Sequence, residues 1–327
     1  MTCQLDPIRD DIIAWSESLW LEGASAFRNG DDTDPHLPST LFMAYILYTV
    51  NGLDQAHIDR RGWAAWVQTQ QNPQNGSFAF PPPLGSSIPR KGIALWNAVR
   101  VLGILDAELL HYPEYQRNAH SIDGLRDWFE TWEALGDSHH EVLALAPTLA
   151  SHPDSAWQDA YFKELVTQQH PNLGTWPRGE KPPNISRTFA YSLAHLGMDR
   201  IPPQPDRIID AMIDLQDPNG LWHKGVGFST MDGVYLLLRL PEKTDHRQAD
   251  AAAALTKTAD TVIAQFEAGD VDRSDTHKFA APVQTLALLS QALPDRFTAS
   301  HTWRFAWENR EFWYSQTIAN ELASPNV

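Results

Sequence analysis

Gln216-Asp217-Pro218-Asn219-Gly220-Leu221-Trp222 decides the fold, because it is one of three copies. The others are Gln71-Asn72-Pro73-Gln74-Asn75-Gly76-Ser77-Phe78 and Gln169-His170-Pro171-Asn172-Leu173-Gly174-Thr175-Trp176. Each runs Gln, polar residue, Pro, short turn, Gly, any residue, aromatic. Each follows an amphipathic stretch: Arg61 to Thr69, Ala156 to Thr167, and Asp206 to Leu215. Proline cannot continue a helix, and glycine supplies the positive φ of the turn that follows. The aromatic can then fold back over the helix end.

Degenerate copies extend the pattern through Gly30, Gly76, Gly124, Gly174, Gly220 and Gly269, with spacings of 46, 48, 50, 46 and 49 residues. After each glycine a second, more apolar helix is predicted, beginning near Ser39, Arg90, His139, Ser186, Thr230 and Lys278. No segment alternates with period two, so no sheet is required. Helical hairpins repeating every 47 residues or so predict an all-α, six-hairpin (α/α)6 toroid, a single domain over residues 1–327. The alternative is an open helical solenoid. A C-terminal helix carrying Trp303, Trp307, Phe312, Trp313 and Tyr314 is expected to seal the ring.

These residues carry a resemblance. Arg61-Gly62, Trp66-Val67, Gln71 and Gly76-Ser77-Phe78 resemble the QW repeat of terpene cyclases and protein prenyltransferases, with Phe where those usually have Trp. The stretch Leu215 to Trp222 is also similar to a segment of the six-hairpin glycosidases, notably the unsaturated glucuronyl hydrolases. Trp176-Pro177-Arg178-Gly179 resembles a Trp-x-Arg-Gly element of the same enzymes. Both likenesses imply the toroid; neither fixes a chemistry.

Composition narrows the function. With 41 acidic and 25 basic residues the formal charge is −16, and a polyphosphate partner needs a basic face, so nucleic acid is not expected. Cys3 is the only cysteine, which excludes an internal disulfide or a Cys-rich zinc site. No apolar run reaches membrane length and no apolar leader opens the sequence, so a cytoplasmic protein is expected. Oligomeric state is not legible.

In a toroid all inner helices open their N-termini onto one mouth. That geometry selects Arg90, Trp96 and Asn97; His139, His140 and Glu141; Arg187 and Tyr191; Asp232 and Tyr235; and His277 and Lys278. The preceding turns add Trp176, Trp222 and His223. Against an acidic chain this rim is cationic, and helix N-termini already favour anions. An anionic small molecule is therefore the expected ligand, although pairing with nearby acids would explain the same cations. Asp232 follows Gly225 and Gly227 and is the first carboxylate of interest. No metal is expected, since no His-x-x-x-His or His-Glu-x-x-His occurs, and no cofactor is expected, since no phosphate-binding glycine loop occurs either.

Three functions follow. The first is hydrolysis or β-elimination of a uronate-bearing saccharide. Arg187 and Arg90 would clamp the carboxylate, and Trp96, Trp176 and Trp222 would offer sugar-stacking faces. Asn97, Tyr191, His223, Tyr235 and Lys278 would add polar contacts. Asp232 with Glu141 would be the acid and base for hydrolysis, and His140 or His277 the base for elimination. The second is an isoprenoid diphosphate bound by the same cations over an aromatic barrel. However, Asp270-Val271-Asp272-Arg273 lacks the last Asp of the acid motif of class II terpene cyclases. The third is a non-catalytic binding toroid.

Overall fold

The computed structural model describes residues 2–80, 91–134, 142–179 and 183–324. Two kinds of helix alternate along it. Those buried on one stripe are α1 (Leu5–Leu19), α3 (Arg60–Thr69), α5 (Ile122–Ala134), α7 (Ser155–Thr167), α9 (Pro205–Asp214) and α11 (Gln248–Ala268). Those buried on nearly every side are α2 (Leu37–Thr49), α4 (Lys91–Ile104), α6 (Ala146–Ser151), α8 (Ile185–Gly197), α10 (Phe228–Arg239) and α12 (Thr276–Ala292). A helix that is apolar all round needs neighbours on every face, whereas a striped helix can face water. The first set is therefore outer and the second inner.

The inner helices pack in the order α4, α2, α12, α10, α8, with α6 beside α4. The last inner helix, α12, thus lies against the first, α2, which makes an α/α toroid rather than an open solenoid. A two-residue parallel pairing of Cys3–Gln4 with Phe297–Thr298 fastens the same seam. No helix of the described residues is long and apolar enough to cross a membrane.

The repeated turns do what their residues imply. Gly76, Gly174 and Gly220 have φ of 66°, 68° and 84°. The turn glutamines tie each turn to a connection further along the chain. Gln71 Nε2 donates to the carbonyls of Gly76 (2.8 Å) and His111 (2.6 Å), and its Oε1 accepts from the backbone of Leu110 and His111. Gln169 and Gln216 repeat the device toward Pro203 and Ala254. Trp176 and Trp222 fold back as expected: their indoles donate to Leu165 O (2.7 Å) and Met212 O (2.8 Å) of the preceding outer helix.

Two expectations are corrected. Gly124 is no turn glycine: it lies in the first turn of α5, where an added Cβ would meet Asn118 O at 1.7 Å. The aromatic C-terminal stretch is not a helix. It forms an irregular strap with one 3-10 turn (Arg310–Phe312), and a short helix α13 (Gln316–Leu322) follows only after it. The strap still fills the ring. Arg304 N donates to Thr49 O at the C-terminus of α2, Trp313 packs on Trp96, and Phe305 and Trp307 insert between the inner helices.

Candidate functional site

Asn184 sets the first wall of the mouth. Its side chain caps α8 by accepting from Arg187 N at 3.0 Å, so the helix begins at Ile185. Ser186, near which this helix was expected to begin, is thereby released for another partner. It donates its hydroxyl to Asp232 Oδ2 at 2.7 Å. Asp232 stands one turn into α10, which starts at Phe228 after Gly227. Thr230, near which this helix was expected to begin, lies inside it. The Asp232 carboxyl is buried, and Ser186 is its only hydrogen-bond partner among the described residues. Burial opposes ionisation more than one hydroxyl favours it, and its pKa is pushed up to about 8. At neutral pH this side chain is an acid with a proton to give.

Aromatic rings stand beside it. Phe228 opens α10, four residues before Asp232 and so on the same face. Its ring lies 4.7 Å from His277 on α12 and 6.2 Å from Phe42 on α2, and Phe42 and His277 meet edge-on at 4.6 Å. Below this group Trp307 stacks on Phe228 at 5.9 Å. Trp307 also contacts Phe189 and Tyr45, on α8 and α2, so it forms a floor across the barrel. His277 is held by its backbone N–H, which donates to the capping carboxylate of Asp275.

An open cleft of about 550 Å³ adjoins the mouth between the turn before α10 and the start of α12. It gathers His223, Lys224 and Lys278 with Asp270 and Asp272. Lys278 Nζ is 3.7 Å from Asp272 Oδ2, so one of the expected rim cations has an acidic neighbour. Asp272 is itself held below the usual carboxylate range, first by the hydroxyl and backbone N–H of Ser274.

The sequence-predicted residues thus divide. Asp232, Arg187 and His277 surround the mouth, and His223 and Lys278 line the cleft. Arg187 is itself buried. Trp176, Trp222 and Trp96 are corrected: all three are fully buried, the first two between outer and inner helices, and none presents a face to a sugar. Tyr191 and Tyr235 are wall residues, packed against Trp176 and Phe189. Asn97 is buried in the barrel, its amide donating to Ile93 O one turn back. Arg90, His139, His140 and Glu141 lie outside the described residues. The described residues hold no group of three or more His, Cys, Asp or Glu that could bind a metal ion.

Sequence reasoning missed Phe42, Phe228 and Arg100. For Arg100 a signal existed, because it is the one cation inside the apolar run Ile93 to Leu105. Thr40 was also overlooked as a repeat element. Its hydroxyl accepts from Phe27 N, as those of Thr188 and Thr230 accept from Trp176 N and Trp222 N, which makes Phe27 the aromatic of the first repeat.

The family model of the prenyltransferase alpha-alpha toroid domain matches residues 3–124. The match covers the outer and inner helices from α1 to α4 and the start of α5, and it identifies the superfamily of the fold. Asp232, Phe228 and His277 all lie beyond it. No curated protein and no solved structure matches the chain.

Proposed function

We propose that this α/α toroid is an enzyme that hydrolyses a C–O bond in an acidic saccharide at the barrel mouth, with Asp232 as general acid. The observation that carries the reading is the buried Asp232 carboxyl, protonated up to about pH 8 and held by Ser186. A group of that strength is matched to protonating a departing oxygen near neutral pH. It is poorly matched to the alternative of protonating a carbon–carbon double bond, which needs a much stronger acid. Diphosphate departure from an isoprenoid needs no acid at all.

The floor argues in the same direction. A prenyl chain needs a deep apolar pit, whereas Trp307 and Phe305 occupy the barrel beneath Phe228. The site is then shallow, and the half-buried Phe228 takes the role first expected of the tryptophans. Lys224 and Lys278 are the cations of the adjoining cleft available to a uronate, with Asp270 and Asp272 beside them. Protonation of the departing oxygen serves hydrolysis and elimination alike; hydrolysis is preferred because elimination also needs a base at C5, and His140, one of the two expected for it, lies outside the described residues.

The test is incubation with saturated and unsaturated uronate oligosaccharides, following reducing ends and the ultraviolet absorbance of the conjugated carboxylate. Release of reducing ends by the wild type and its loss in Asp232→Asn are expected. Turnover unaffected by Asp232→Asn would overturn the assignment. A large thermal shift with farnesyl diphosphate and none with any uronate would replace the saccharide by an isoprenoid.

A further inference from the structure

Below the floor lies a charge that the mouth does not use. Arg100 is fully buried on α4, with its guanidinium carbon 4.3 Å from the ring centre of Trp96, 4.6 Å from Tyr45 and 4.8 Å from Trp307. Three ring faces attract the cation but accept few of its five N–H groups. None of its three nitrogens makes a hydrogen bond of good geometry among the described residues; the Tyr45 hydroxyl is the polar group that interacts with it, and no carboxylate pairs with it there.

Other polar atoms share this condition. Gln284 on α12 and Ser192 on α8 are fully buried, and both amide atoms of the first and the hydroxyl of the second lack partners among the described residues. So do the indole N–H groups of Trp96 and Trp307. Tyr45, Arg100, Ser192 and Gln284 stand eighth to tenth in their inner helices, about two turns from the ends that form the mouth. Most of these unpaired groups are donors, with Gln284 Oε1 and Asn97 Oδ1 as the unpaired acceptors.

Charge cannot be removed internally. Burial lowers the Arg100 pKa only to about 10, so the group stays cationic at neutral pH. Tyr45 cannot be its counter-charge. Burial pushes that phenol up to about 12, and its proton is donated to Asn97 O at 3.2 Å. An isolated buried cation is costly unless an opposite charge accompanies it.

We propose that this layer is a binding site for a small monovalent anion, a halide or a short carboxylate, with Arg100 as its counter-charge. The anion accepts from the guanidinium edge that the rings leave free. Trp307 separates it from the mouth, so the ion is a resident of the barrel and not the substrate.

The experiment measures melting temperature at constant ionic strength while chloride, bromide or formate replaces a bulky organic sulfonate. An anion that binds only the folded form raises the wild-type melting temperature with the logarithm of its concentration. We expect a rise of a few degrees in the wild type and a flat line in Arg100→Met. The halide and formate arms tell which kind of ion fits better. Melting that is indifferent to the anion, or a response kept in Arg100→Met, overturns the proposal. Should Arg100→Met fail to fold, bromide-soaked crystals of the unaltered protein decide: anomalous density beside Arg100 supports the site, and its absence there refutes it. Neither readout depends on the saccharide assay.

Discussion

Ser186 and Asp232 join α8 to α10 through one 2.7 Å hydrogen bond, and that bond holds a carboxyl whose environment forbids charge. The pair therefore has a pH signature. In the unfolded chain Asp232 releases its proton near 3.8, and in the folded protein near 8. The folded form binds the extra proton between these values, so stability is greatest below the lower one and falls as pH rises toward the upper. Asp232→Asn removes the effect. The variant should gain on the wild type by about 1.4 kcal/mol per pH unit across that window, a figure that is an upper limit if the mouth admits water. Urea unfolding of both proteins at pH 5 and pH 7 measures it, and parallel curves would show an ionised Asp232.

Ser186→Ala should push the Asp232 pKa higher still, because the hydroxyl is the only contact that lowers it. Its stability cost should be small, about 1 kcal/mol. Carbon-13 titration of the labelled carboxyl follows the shift directly. A pKa that falls, or does not move, would mean that the hydroxyl does not favour the carboxylate.

Trp222 should behave as a packing residue. Its ring presses on Gly233 of α10, where an added Cβ would meet the indole at 2.6 Å, and its N–H donates to Met212 O. Trp222→Phe should lower stability by about 1–2 kcal/mol through the orphaned carbonyl. Trp222→Ala should cost about 3–5 kcal/mol through the cavity. Unchanged unfolding curves with weakened saccharide binding would restore it as a ligand platform.

Gln71→Leu keeps the volume of the side chain while removing four hydrogen bonds, one to Gly76 within the first turn and three that fasten it to the Leu110–His111 connection. The carbonyls and N–H groups left behind are partly or wholly buried, so a loss of about 3 kcal/mol is expected. A urea midpoint within error of the wild type would mean that water replaces the amide.

The turns were legible because proline, glycine and glutamine each have one physical role there, and the observed α3, α7 and α9 begin within one residue of expectation. Gly124 misled because spacing alone cannot tell a glycine with positive φ from one admitted by a close neighbour, here Asn118. The three tryptophans misled for a different reason. The fold-back expected of Trp176 and Trp222 already turns their indoles to the outer helix, so nearness to an inner-helix N-terminus in sequence could not also make them sugar platforms. Asp232 was legible as a carboxylate near two glycines, but its partner Ser186 was not, because the competition between Asn184 and Ser186 for the cap is settled by geometry. The strap was read as a helix from its aromatic spacing, which irregular chain can also carry.

Because Trp307 belongs to the strap and not to any toroid helix, the framework and the depth of the chamber are separable. Trp307 packs on inner helices without belonging to one, so a smaller residue there deepens the chamber at the cost of its contacts with Tyr45, Phe189 and Phe228. The depth available to a guest is thus set by irregular backbone, and the repeats that build the ring do not determine it.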